Sequence, residues 1–358
     1  MTAEDVVDGI ERATFGPESQ RLVDTWLDEH LHAQLGSALE RVLFRSGRVS
    51  AVFGCRLQDG REVAVKVHRP GADLAHLSAA VRAQYHLAAH GYPCPRPLHE
   101  PTPVDGRVMV IETLTNEGEL SDATQAPVRR ALTVSLVEQI DLLRPLVADP
   151  ALREPLRAGA PAWARYEQGP WPVPHDPIFD FTQRPERFGW VDNLAAEAAR
   201  VLVRFARRGV LGPDVIGHSD WYDGNVLVQP TEGGSSHGAA DGQDGVVVSA
   251  AFDWDSLTAC PEAVLVGMCA GSYTAGGVAN AATPTVAQVR ALLTDYQQAR
   301  PGFLVGEQWS AAAAAACWVM AYNARCEVCF LGPGAEPETG SALHALMVAG
   351  RDYLELGA

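Results

Sequence analysis

The 358 residues carry 28 basic and 44 acidic side chains, a net charge of −16, with 47% apolar and 20% charged residues. This is the balance of an ordinary globular protein with enough chain for two lobes, and its negative charge argues against a nucleic-acid or anionic-membrane partner. No apolar run reaches the roughly 18 residues needed to span a bilayer. Met1-Thr2-Ala3-Glu4-Asp5 lacks the features of a signal peptide, and the seven cysteines are scattered, so a cytoplasmic, reduced setting is expected.

Residues 2–35 hold apolar positions at helical spacing, Val6, Val7 and Ile10, then Leu22, Val23, Trp26, Leu27 and Leu31. From Val42 the period shifts toward strand, over 42–45 and 49–57, then an Asp59-Gly60 turn, then 63–67. A helix over 73–90 ends at Gly91, where Pro93 and Pro95 prevent continuation. Residues 107–114 form another strand, broken by Asn116-Glu117-Gly118. Residues 1–115 therefore read as a small α+β lobe. Residues 116–358 read as a larger lobe with helices over 126–147, 192–208, 286–300, 307–330 and 343–356.

The charge is −3 over residues 1–115 and −13 over the remainder. An acidic second lobe suits a cationic ligand or serves solubility. Residues 161–190 are rich in Pro and aromatics, including Trp163, Tyr166, Trp171, His175, Phe179, Phe181 and Trp190. That segment reads as a binding loop or as a surface connection pinned by its rings. Strands over 225–229 and 246–252 flank a Gly-, Ser- and Asp-rich tip at 231–245, a hairpin that would return Asp253 toward Asp220 and Asn225. Cys326 and Cys329 lie at helical spacing and read as buried small residues.

Of the 28 basic residues, 27 are Arg, and Lys66 is the only Lys. Such a chain keeps a lysine where a compact ammonium on a flexible stem fits and a planar guanidinium does not. Lys66 lies in the apolar strand Val63-Ala64-Val65-Lys66-Val67, a V-A-x-K pattern. His218, Asp220 and Asn225 match H-x-D-x-x-x-x-N, which sets a carboxylate beside a hydroxyl and an amide oxygen on a cation. The oxygens of Asn225 and Asp253 suit Mg²⁺. In this order the groups supply Mg²⁺-dependent phosphoryl transfer, with Asp220 as base and Lys66 on the phosphates. His218 reads as a scaffold of the loop.

Residues 63–67, Gly91-Tyr92-Pro93-Cys94-Pro95-Arg96-Pro97, residues 217–228 and Phe252-Asp253-Trp254-Asp255 carry a family likeness. Across about 40–260 the chain resembles aminoglycoside phosphotransferase-type small-molecule kinases, relatives of choline, macrolide and protein kinases. The resemblance implies a two-lobed protein-kinase-like α+β fold: a small antiparallel-sheet lobe with one main helix, then a larger, mostly helical lobe. It implies ATP or GTP as donor, Mg²⁺, and transfer of the γ-phosphoryl group to a small-molecule hydroxyl, often on an antibiotic. Backbone groups of Glu112 and Leu114 would grip the purine, and Ser50 would touch the nucleotide. Tyr222, Asp255, His175 and Asp180 are candidates to meet the acceptor; Tyr222 also reads as loop structure, and Asp255 as an outer metal contact or an N-cap.

The chain departs from the family pattern in three places. Ser219 replaces a glycine, no repeated glycine pattern marks residues 46–50, and no acidic residue lies between Ala75 and His90, where a Glu normally pairs with the lysine. Gln84, Asp253 or the nucleotide would then hold Lys66. The expected function is O-phosphorylation of an antibiotic or related natural product. The alternatives are a metabolic kinase for choline, a sugar or an amino alcohol, and a kinase-like nucleotide-binding module with little or no catalysis.

Overall fold

Why Lys66 faces a cleft follows from strand alternation. The computed structural model describes residues 9–16, 19–167, 171–183, 186–231, 245–275, 282–332 and 334–356. Val6, Val7 and most of the hairpin tip expected at 231–245 lie outside them. Helices α1 (Gly9–Phe15) and α2 (Gln20–Leu35) precede strands β1 (Leu39–Ser46), β2 (Ala51–Leu57) and β3 (Glu62–His68). After α3 (Leu74–Ala89) come β4 (Thr102–Val104) and β5 (Arg107–Thr113), giving an antiparallel sheet in the order β1-β2-β3-β5-β4. In β3, Val63, Val65 and Val67 are buried in one core with Val23, Leu27 and Leu31 of α2. Side chains alternate across a strand, so Ala64, Lys66 and His68 take the opposite face. Pairing of Lys66 with Val52 on one side and Val110 on the other holds its backbone on both flanks.

Asp73 caps α3 by accepting from the amides of Ala75 and His76 at 3.0 and 3.2 Å. The apolar face of α3 does not serve the small sheet. Ala79, Ala80, Ala83 and Leu87 belong to the core of the larger lobe, and polar contacts such as Gln84 to Glu112 tie the helix to the sheet.

The larger lobe comprises α4 (Ala126–Leu143), α5 (Pro150–Ala158), α6 (Gly189–Arg207), α7 (Glu262–Ala270), α8 (Val286–Ala299), α9 (Glu307–Val328) and α10 (Ala342–Glu355). The helix expected over 126–147 stops at Leu143 and tightens into a 3₁₀ turn over Arg144–Ala148. Pro145 has no amide hydrogen to continue the ladder. Two short sheets insert among these helices. One pairs β6 (Asp214–His218) with β9 (Leu257–Pro261), and the other pairs β7 (Val226–Pro230) with β8 (Val246–Ala251). The second is the expected hairpin, and Phe252 closes it by donating its N–H to the Asn225 carbonyl at 2.9 Å. Among the described residues no helix is long and apolar enough to cross a membrane.

Sequence reading did not resolve α7, because all nine of its residues are buried and no polar face marks its period. It packs closely on α9. A Cβ at Gly267 would stand 2.2 Å from the Ala312 carbonyl oxygen and 2.7 Å from the Ala315 Cβ. Backbone cannot yield there as a flexible side chain would. Gly267→Ala is expected to cost about 1–3 kcal/mol by overpacking, measured as a lower denaturation midpoint. An unchanged midpoint would show that the two helices separate without loss.

Candidate active site

The loop after β6 is fastened before its functional groups appear. His218 is fully buried at the strand end, and its N–H donates to Gln139 Oε1 at 3.0 Å. Its Nε2 donates to the Phe252 carbonyl at 2.9 Å, which leaves Nδ1 to accept the Asp220 amide at 3.2 Å. Burial pushes this imidazole down to about 4, so His218 is neutral and serves as the expected scaffold. Ser219 donates its N–H and Oγ–H to the Ser256 carbonyl at 3.1 and 2.8 Å. Trp221, fully buried, donates Nε1–H to the Leu132 carbonyl at 3.0 Å.

With the loop fixed on both sides, Asp220 and Asn225 meet. Asn225 Nδ2 donates to the Asp220 carbonyl at 2.9 Å and more loosely to Oδ2 at 3.4 Å. In this amide orientation, assigned from the hydrogen bonds, Oδ1 is left for another ligand. Burial and the neighbouring Asp253 charge push the Asp220 carboxyl up to about 7. Tyr222 shares that environment. Burial first, then Asp220, raises its hydroxyl above the usual tyrosine range, while Arg48 of the β1–β2 turn acts on both groups as an opposing positive charge.

Beside that loop, Asp253 adopts a left-handed backbone (φ 66°) and starts the 3₁₀ turn Trp254–Ser256. The strained turn aims Asp253 and Asp255 at one atom. Lys66 Nζ donates to Asp253 Oδ1 and, at 2.5 Å, to Asp255 Oδ1. Burial opposes the lysine charge, but the two carboxylates outweigh it and raise its pKa. Burial and Asp255 raise Asp253. Asp255 is held below the usual carboxylate range, since Lys66 and His68 overcome the cost of its burial. His68 Nδ1 stands 3.7 Å from Asp255 Oδ2.

Of the three holders expected for Lys66, Asp253 is present and Gln84 is not. Gln84 Nε2 donates to Glu112 Oε2 at 2.6 Å and to the Pro95 carbonyl at 2.8 Å, so it props the end of β5. Burial pushes the Glu112 carboxyl up to about 7. The Leu114 N–H donates to the Glu62 carbonyl at 3.2 Å, a bond that a purine using this amide would replace. Ser50 is buried and its Oγ bonds His68 Nδ1 at 2.9 Å, so its hydroxyl turns inward.

The aromatic segment is held chiefly by its own rings and α9. His175 Nδ1 bonds Tyr322 Oη at 2.7 Å, and its ring meets Trp163 edge to face at 5.2 Å. Burial pushes His175 down to about 4. Trp163 Nε1 in turn donates to Ser219 Oγ at 3.2 Å, which sets His175 one side chain away from the loop that carries Asp220. Asp180 accepts from the N–H of Thr182 at 2.9 Å and closes its own exposed turn. Neither residue bonds the Lys66 group. Sequence reading also missed Arg69, which follows β3 and pairs with buried Asp176 at 3.0 Å, fastening this segment beside the cleft. Only a tertiary contact could reveal that pair.

A cation fits the cleft. Asp220, Asp253 and Asp255 converge there, and Lys66 is their one ammonium. Among the described residues, no group of three or more His, Cys, Asp or Glu side chains is placed to hold a metal ion by itself. A hard cation on Asn225 and Asp253 would thus fill its shell with water and phosphate oxygens, as Mg²⁺ does.

Fold and site together define a kinase-like small-molecule phosphotransferase. Residues 40–301 match the model of the phosphotransferase enzyme family, and the chain belongs to that family. Among solved structures it is similar to an amicoumacin kinase in complex with AMP-PNP, Ca²⁺ and Ami, with 13% identity, 94% and 96% of the two chains covered, and a TM-score of 0.54. It is similar to an ethanolamine kinase from Plasmodium vivax at 12% identity, 88% and 83% coverage and TM-score 0.53. A spectinomycin phosphotransferase in complex with ADP and spectinomycin gives 12%, 93% and 97%, and 0.51. These likenesses establish the fold. Curated proteins give no sequence match.

Proposed function

We propose that the protein transfers the γ-phosphoryl group of ATP or GTP to a hydroxyl of a small natural product, as in antibiotic inactivation. One observation carries the reading. The only lysine, on the central strand of one lobe, meets Asp253 of the other, beside an Asp220–Asn225 pair whose amide oxygen has no partner among the described residues. Lys66 binds phosphate oxygens, and the backbone of Glu112 and Leu114 takes the purine. Asp220 orients the acceptor hydroxyl and accepts its proton. Asn225 and Asp253 would hold Mg²⁺, which when bound neutralises charge on the phosphates. Tyr222, next to Asp220 in the same loop, and the rings around His175 would shape the acceptor site.

Two of the similar structures, an amicoumacin kinase with Ami and a spectinomycin phosphotransferase with spectinomycin, support a natural-product acceptor of that kind. The ethanolamine kinase and the acidic larger lobe support a cationic amino alcohol as the second reading. A module without catalysis has less support, because base, amide and lysine stand assembled. The test offers ATP or GTP with Mg²⁺, then a panel of aminoglycosides, other antibiotics, choline and ethanolamine. The expected results are a nucleotide-dependent rise in denaturation midpoint and one acceptor gaining the mass of a phosphoryl group. A midpoint indifferent to both nucleotides would sink the proposal.

A further inference from the structure

Helix α3 has no acidic residue, yet Lys66 is not left without a fixed partner. Its Nζ bonds both Asp253 and Asp255, the latter at 2.5 Å. These two carboxylates are not equivalent. If Asp253 carries the cation, as the reading above requires, its charge is shared and Asp255 alone is left to hold the ammonium. Asp255 is also the better anchored of the two. His76 Nε2, on α3, donates to the Asp255 backbone carbonyl at 2.8 Å. The His76 ring is itself confined, since a Cβ at Gly159 would come within 2.4 Å of the His76 Cβ. On the other side His68, two residues from Lys66 on the same face of β3, stands 3.7 Å from the second Asp255 oxygen and is fixed by Ser50 at 2.9 Å.

We propose that Asp255 is a positioning residue that holds Lys66 on the nucleotide phosphates, and that α3 sets its place through His76 instead of supplying a carboxylate of its own. The inference rests on the phosphotransfer reading for its purpose, but the ion pair can be tested without activity. Lys66 is the only lysine. Acylation by an amine reagent followed by mass spectrometry therefore reports one side chain, with the N-terminal amine as internal standard.

Asp255→Asn is expected to raise the rate of Lys66 acylation about tenfold, the effect of losing one hydrogen bond between charged groups. It is expected to lower kcat by about tenfold or more while the Mg²⁺ concentration for half-maximal rate stays put, and to have no further effect in a Lys66→Met background. An unchanged acylation rate overturns the proposal. So does a shift in Mg²⁺ dependence, which would make Asp255 a metal ligand, or a loss that multiplies with Lys66→Met, which would make it an acceptor contact. Should Asp255→Asn fail to fold, His76→Ala keeps the carboxylate and removes only the bond to its carbonyl. A smaller rise in acylation is expected there, and none would overturn the idea. If no acceptor or nucleotide is ever used, the acylation result still decides the ion pair.

Discussion

Asp220→Asn is expected to abolish useful transfer, lowering kcat by about 10²–10⁴, the usual worth of a positioned acid–base group. The substitution keeps size and shape. The Asn225 bond at 2.9 Å goes to the Asp220 backbone carbonyl, and the Asp220 N–H bond to His218 at 3.2 Å is also backbone. The loop should therefore stand, and binding of nucleotide with Mg²⁺ should change little. What is lost is a proton acceptor.

The carboxyl is raised to about 7 by burial and by Asp253, and a raised carboxyl is protonated at the low end of the pH range. Transfer is thus expected to fall on the acid side, as pH drops through the pKa of the loaded enzyme. A cation on Asp253 removes the repulsion that helps raise that pKa, so the acid limb should lie below 7. The measurement is kcat against pH for wild type. Transfer by Asp220→Asn within tenfold of wild type would remove the residue from its role.

How much of this was legible in the sequence depends on the reach of each contact. The H-x-D-x-x-x-x-N loop could be read because its parts sit within eight residues and a strand follows. Lys66 could be placed on the cleft face because period-two alternation in β3 is a local property. The β7–β8 hairpin and the return of Asp253 followed from flanking strands. By contrast, β6 and β9 are separated by the whole hairpin, and α7 is buried all round, so neither left a local pattern. The bond of Asp255 to Lys66 spans 189 residues, so the sequence alone leaves Asp255 as an acceptor contact, an outer metal contact or an N-cap. Gln84 was a reasonable polar candidate on α3, but helix rotation turned it to Glu112. The rings of residues 161–190 read as either loop or connection for the same reason. Their partners, such as Trp318 donating to the Trp163 carbonyl at 2.7 Å, lie on α9.

Asp253→Asn is the second substitution expected to stop transfer, and it should do so by a route distinct from Asp220. An amide is a poorer ligand for a hard cation than a carboxylate, so the Mg²⁺ needed for half-maximal rate should rise. The rate at saturation should fall by about 10³, on the scale of losing one preorganised charge-stabilising group. Lys66 keeps Asp255 as its partner, so acylation of the lysine should change less than in Asp255→Asn. Stability should move the other way from activity. Asp253 is half-buried, in a cluster where desolvation and Asp255 both oppose its charge, on a backbone at φ 66° that Asn tolerates as readily as Asp. The metal-free variant is therefore expected to melt no lower than wild type. Calorimetry with and without Mg²⁺-nucleotide separates the two effects. A variant that still gains stability from Mg²⁺-nucleotide as wild type does would show that the cation is held elsewhere. The carboxylate would then be retained for Lys66 alone.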